Sequence, residues 1–135
     1  MFVLHLKGYK NIDKSVIIES NVGLDKIYPQ GIHIGSGCLI ASGTTILAHE
    51  HIFVKPDGRY YTKDTYIGKN CFVGIRSIIC PGVHVGNECV IGAGSLVNKD
   101  IPDNCMAVGV PAKVVKTGIH MNNHARLEGE QKYKE

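Results

Sequence analysis

The chain has 135 residues, with 15 Lys and Arg against 12 Asp and Glu, a net charge of +3 and a pI near 8.6. That length suits one domain able to bury a core, and the charge falls well short of the dense basic runs of a nucleic-acid binder. Five cysteines, an odd count without a CxxC pair, argue against a disulfide framework or a zinc knuckle and for a reducing, cytoplasmic setting.

The N-terminal Met1-Phe2-Val3-Leu4 is apolar, but His5 and Lys7 interrupt it before a signal-peptide core or membrane span could form. Ile12, Ile18 and Leu24 then keep a six-residue beat, which a detour from Asp25 to His33 delays. It resumes at Ile34-Gly35, Ile40-Ala41 and Ile46-Leu47, and the residues after it, Ala48-His49-Glu50-His51, lead into fifteen residues without repeat, 52–66. Pro56-Asp57-Gly58 reads as a turn at the tip of this loop. The beat returns from Ile67-Gly68 through Val73-Gly74, Ile79-Cys80, Val85-Gly86 and Ile91-Gly92 to Val97-Asn98. Such a period fits neither a helix nor a strand alternating at two, but it suits a solenoid of short strands ending in tight turns, and glycine after each aliphatic residue is expected to supply the turn angles.

Three hexapeptides per turn place residues eighteen apart above one another at about 4.8 Å. Residues 34–51, 67–84 and 85–102 then form three coils, and the weaker beat before Ile34 adds a partial one, for about four in all. Stacking predicts interior columns of Cys38, Cys71 and Cys89 and of Thr44, Ser77 and Ser95, with Gly82 continuing the column of His49 and His84 lying over His51. Ile101-Pro102 breaks the pattern and Pro111 marks the exit. Residues 1–116 are read as the repeat domain and residues 117–135, polar and charged, as a short helix or frayed tail.

The run from Ile67 to Lys116 resembles the C-terminal half of bacterial sugar O-acetyltransferases of the galactoside, maltose and polysaccharide-modifying type. Ile91-Gly92-Ala93-Gly94-Ser95 and Gly109-Val110-Pro111-Ala112-Lys113 carry the likeness in combination, and the wider similarity to hexapeptide-repeat acyltransferases covers residues 12 to 116. The resemblance implies an all-β, left-handed parallel β-helix; the hand comes from the family, since the general crossover preference points the other way. It implies a homotrimer with sites between subunits, acetyl-CoA as donor, no metal, and as acceptor a sugar hydroxyl, with a surface-polysaccharide precursor and a nucleotide-linked sugar as the candidate carriers.

A histidine at the end of a coil just before the loop is the base in these transferases, which implies His49 as catalytic residue, with His51 as the alternative base or an acceptor contact. An imidazole near pKa ~6.5 can take the proton of a poorly nucleophilic hydroxyl during attack on a thioester. For the partner that orients it, Asp13 and Asp25 are the candidates, because Glu50 points away in an extended strand. Arg59, Tyr60 and Tyr61 of the loop are candidate acceptor contacts. The donor arm is expected past Phe72, Gly74, Ala93 and Ser95, with Lys99 and Lys113, and beyond them Lys116, near its phosphates; Ile75 and Arg76 depart from the family pattern. His5, His33, His84, His120 and His124 are read as structural or solvated. Three other readings stay open: an N-acetyltransferase acting on an amino sugar, a γ-class carbonic anhydrase-like metal protein built on His49, His51 and His84, and a non-catalytic scaffold.

Overall fold

The structure, a computed structural model, describes residues 8–129. The segment through Lys7, including His5, and tail residues Glu130 and Lys132 lie outside them. Strands of mostly two or three residues alternate with turns, and the chain visits three parallel sheets in a constant cyclic order. One sheet stacks Ile17–Ile18, Leu39–Ile40, Phe72–Val73, Val90–Ile91 and Cys105–Gly109, closed by an antiparallel Ala112–Thr117. The second stacks Gly23–Leu24, Thr45–Ile46, Ile78–Ile79 and Leu96–Val97; the third stacks Ile32–Ile34, Thr65–Ile67 and His84–Val85.

The register turns the beat into columns. Ile18, Ile40, Val73, Ile91 and Ala107 lie over one another, as do Leu24, Ile46, Ile79 and Val97, and Ile34, Ile67 and Val85. All of them are buried, so the second or third residue of each strand faces the interior while its neighbour faces out. Each such Ile or Val contributes about 1.5–3 kcal/mol of hydrophobic stabilisation.

The two polar columns form between these sheets as the spacing predicts. Thr44 and Ser77 donate to Gly74 O at 3.0 and 2.8 Å, and Ser95 Oγ accepts from Gly109 N at 3.1 Å. Cys38, Cys71 and Cys89 donate to Gly68 O, Gly86 O and Pro102 O, and the adjacent register carries the column on to Cys105. All four thiols are buried. The contact with the Cys38 sulfur pushes the Cys71 thiol up to about 12, which keeps it protonated. These residues are small hydrogen-bonding core groups.

Four expectations need correction. The glycine after each aliphatic residue does not take up a positive φ: within the repeat the left-handed positions fall two residues later, at Gly37, Asn70, Glu88 and Asn104, at Asn21, Gly43, Arg76 and Gly94, and at Gly82. Gly74 is glycine for space, because a Cβ there would meet Ala93 N at 2.6 Å and Ile91 O at 2.8 Å. Secondly, the parallel sheet resumes at Thr65, not Ile67, so His84 pairs with Tyr66, the two rings tilted at 4.5 Å, and does not lie over His51. Thirdly, the space beside Gly82 is filled, since a Cβ there would meet the Lys63 side chain at 3.0 Å.

Lastly, residues 117–129 form neither a helix nor a frayed end. The strand Ala112–Thr117 crosses the 116/117 boundary, and the chain then runs back over successive corners. Ile119 exchanges hydrogen bonds with Asn104, Met121 N donates to Glu88 Oε1 at 2.9 Å, and Asn123 lies against Gly37. Ile119, Met121 and Ala125 are buried by this docking, a small apolar set within a polar stretch. The only helical piece among the described residues is a single 3-10 turn, Pro29–Gly31, and no helix there is long and apolar enough to cross a membrane.

Candidate active site

The strand Thr45–Ile46 continues through Leu47 and buried Ala48 to His49, where the chain leaves the sheet. His49–Val54 and Tyr60–Thr62 pair antiparallel as an arm that carries exposed Ile52, Phe53 and Val54. Its root is fixed: Lys63 N donates to Ala48 O at 2.9 Å, Thr65 Oγ1 bridges Leu47 O and Gly82 N, and Lys63 pairs with Glu50 at 3.4 Å.

His49 is 5% exposed and Asp25 2% exposed. Asp25 Oδ2 accepts from Ala48 N at 2.7 Å and from His49 Nδ1 at 2.5 Å; Oδ1 accepts from Ile27 N and Tyr28 N, each at 2.9 Å. Burial opposes the charge, but the hydrogen bonds from Ala48, Tyr28 and His49 outweigh it and hold the carboxyl below its ordinary value. An ionised carboxylate only accepts, so Nδ1 of His49 donates to it, and in the neutral imidazole that tautomer leaves the lone pair on Nε2. That Nε2 is buried and has no hydrogen-bond partner among the described residues.

Of the two acids considered as partners, Asp25 therefore holds His49, while Asp13 accepts from Ser15 N and Oγ. Tyr9 Oη steadies the turn from beneath by donating to Leu24 O and Asp25 O at 3.1 and 2.8 Å.

Nε2 belongs to a ring at the edge of a pocket of about 300 Å³, walled by Leu24, Lys26, Leu47, His49, His51 and Tyr60. The His51 and Tyr60 rings lie 4.2 and 5.0 Å from that of His49. Two of the other loop candidates point elsewhere: Arg59 pairs with Asp57 near the arm's tip at 2.7 Å, and Tyr61 packs beneath Lys55. His33 Nε2 donates to Asp64 Oδ2 at 2.8 Å and its ring stacks on Tyr66, and His120 sits 3.7 Å from Glu88.

The donor-side candidates fall in different environments. Phe72 is half-buried in the six-stranded sheet, Gly74 and exposed Ala93 share one edge of the stack, and Ser95 faces the interior column. Lys99 and Lys113 are exposed, Lys113 on the closing hairpin opposite Val108. Among the described residues no three His, Cys, Asp or Glu side chains form a group that could hold a metal ion. Lys26 and Ile27, which reach the same pocket, were not singled out from sequence; the only signal there was the detour that delays the beat between Leu24 and Ile34.

The repeat pattern described as the hexapeptide repeat of succinyl-transferases matches residues 15–48 and 65–99, the gap between the two matches coinciding with the arm. The chain belongs to this hexapeptide-repeat family. It is 40% identical over 111 residues to the galactoside O-acetyltransferase of Lactococcus lactis, covering 79% of this chain and 53% of that protein. To the galactoside O-acetyltransferase of Escherichia coli it is 37% identical over 100 residues, covering 72% and 49%. The chain thus spans about half the length of these relatives. Among solved structures, a maltose O-acetyltransferase from Clostridium difficile superposes with a TM-score of 0.62 at 31% identity, covering 76% of this chain and 66% of that one. A galactoside acetyltransferase in complex with coenzyme A gives 0.62 at 29%, covering 89% and 72%.

Proposed function

We propose that the chain is an acetyl-CoA-dependent acetyltransferase acting on a hydroxyl of a sugar or sugar-containing precursor, with His49 as its base. One observation carries the reading: an imidazole that lines the pocket, its Nδ1 tied to buried Asp25 and its Nε2 without a partner among the described residues. Kinship with galactoside and maltose O-acetyltransferases supports the reaction class, and the coenzyme A complex of one relative supports the donor.

A thioester donor supplies an activated acyl carbon. His49 Nε2 removes the acceptor's hydroxyl proton as its oxygen bonds to that carbon. Asp25 stabilises the imidazolium through Nδ1–H. As the C–S bond breaks, His49 returns the proton to the departing sulfur, so that neither an acyl-enzyme nor a net charge remains. Tyr60 and His51 are the proposed acceptor contacts, a role supported by their rings lining the same pocket as His49. Gly74 and Ala93 offer a low edge along which a pantetheine arm can approach main chain, with Phe72 beside it, and the Lys99 and Lys113 ammonium groups are free to meet phosphates. Ser95 contributes from inside that edge rather than by direct contact.

The same reading includes a left-handed coil of about four turns with residues 52–66 extruded, a cytoplasmic setting where acetyl-CoA is available, and a homotrimer with sites between subunits. The exposed Ile52, at 83%, and Phe53, at 67%, support a partner that covers the arm. Light scattering at micromolar concentration should give three times the chain mass; a monomer sinks the shared site.

The base assignment is tested by thiol release from acetyl-CoA with galactosides, maltose and amino sugars as acceptors. His49→Ala should lower kcat by about 10²–10⁴, and His51→Ala by far less. Turnover that survives in His49→Ala but vanishes in His51→Ala overturns the assignment.

A further inference from the structure

We infer that the acceptor carries an anionic group, a carboxylate or a phosphate, and that Lys26 is the residue that recognises it. The inference rests on the reading of the His49 pocket as the acceptor site.

Four kinds of titratable group line this pocket: Asp25, Lys26, the two imidazoles of His49 and His51, and the Tyr60 phenol. Asp25 is acidic but cannot present its charge, since both oxygens are used by four N–H donors and the residue is 2% exposed. Glu50, the nearest acid in sequence to the two histidines, is engaged by Lys63. Lys26 is exposed, lines the pocket, and has no acidic partner among the described residues. Among the described residues the pocket therefore has an uncompensated cation and no accessible anion.

Placement makes this more than a surface lysine. Asp25 Oδ1 accepts from Ile27 N and Tyr28 N, forming a side-chain-capped turn that fixes the backbone of Lys26 and Ile27. Oδ2 of the same carboxylate holds His49. One buried side chain thus orients the base and fixes the turn that carries the lysine.

The walls near Lys26 are Leu24, Leu47 and Ile27, the last 56% exposed. Apolar walls lower the effective dielectric and strengthen a charge-assisted hydrogen bond from the ammonium to an anionic oxygen. They also offer little to a neutral, many-hydroxyl sugar beyond one apolar ring face. A sugar acid or sugar phosphate uses both features of the wall; a neutral hexose uses one.

The test is equilibrium binding by calorimetry to the full chain, with glucuronate, glucose 6-phosphate, glucose and coenzyme A as probes, for wild type, Lys26→Met and Lys26→Arg. Wild type should bind at least one anionic sugar about tenfold more tightly than glucose, an advantage that shrinks with added salt. Glucuronate against glucose 6-phosphate tells carboxylate from phosphate. Lys26→Met should remove the advantage, Lys26→Arg should largely keep it, and coenzyme A affinity should move less than twofold. The inference is overturned if neither anionic sugar binds better than glucose, if Lys26→Met keeps the preference, or if that variant weakens coenzyme A instead, which would make Lys26 a donor-phosphate group. Binding needs no turnover, so the two readings fail separately: His49→Ala should slow transfer by about 10²–10⁴ yet retain the preference for the anionic sugar.

Discussion

The stack from Ile67 to Pro102 and the two interruptions before it, residues 25–31 and 49–64, use their side chains in opposite ways. In the stack nearly every inward group is consumed by its neighbours in the register: aliphatic on aliphatic, hydroxyl and thiol on the carbonyl of the next corner. In the interruptions, polar side chains are gathered with capacity to spare, notably the Nε2 of His49 and the ammonium of Lys26. A repeat can only place like on like, and a base beside a carboxylate beside a cation requires unlike neighbours. The groups proposed for chemistry therefore collect where the period fails, and the stack lies between and beyond the two failures.

The contrast breaks most severely at a glycine. Gly74→Ala inserts a methyl where backbone atoms stand 2.6 to 2.9 Å away on two residues of the next coil, and none of them belongs to a flexible side chain. About 3 kcal/mol or more of stability should be lost, a fall in Tm on the order of 10 °C for a chain of this size. Gly58→Ala in the arm is the control. Its φ of +85° makes alanine strained, but nothing lies within 4 Å of the added carbon, so only the backbone cost of about 1–2 kcal/mol applies. Thermal unfolding of both variants measures the difference. Equal losses would show that the stack is no more tightly packed than the arm, contrary to the close approach of its corners.

The sequence was most legible where the molecule is most repetitive. The columns of Cys38, Cys71 and Cys89 and of Thr44, Ser77 and Ser95 follow from counting by eighteen, because each residue in a stack meets the equivalent residue of the next coil. His49 was legible from its position at a break combined with a resemblance. The pairing with Asp25 spans 24 residues across a detour that has no period, so it could be narrowed to two acids and no further. Tyr60 and Tyr61 were indistinguishable in sequence because adjacent residues of a strand face opposite ways, and the register of a two-stranded arm sets which way. The tail was misread because Ile119, Met121 and Ala125 are few among charged residues, and their burial depends on the Asn104 and Glu88 side chains that receive the backbone.

Asp25→Asn sharpens the comparison at the point where one side chain serves both roles. The substitution keeps shape and removes charge. Whichever way the amide is turned, its NH2 faces N–H donors, Ala48 on one side or Ile27 and Tyr28 on the other, so at least one buried donor loses its acceptor. The cost should be about 1–3 kcal/mol, smaller than that of Gly74→Ala, while kcat should fall by about 10²–10⁴ because His49 is freed to take the wrong tautomer. The stability loss has a direction in pH. Asp25 titrates below its ordinary value in the folded chain, so its ionised form contributes fully above about pH 3.9, the unfolded value. The contribution then declines as pH falls toward the lower folded value. Denaturant unfolding should show wild type well above Asp25→Asn at pH 6, with the gap narrowing at pH 3. A gap unchanged between those conditions would mean that the carboxylate's charge does not hold His49 and the Lys26 turn, and that shape alone does.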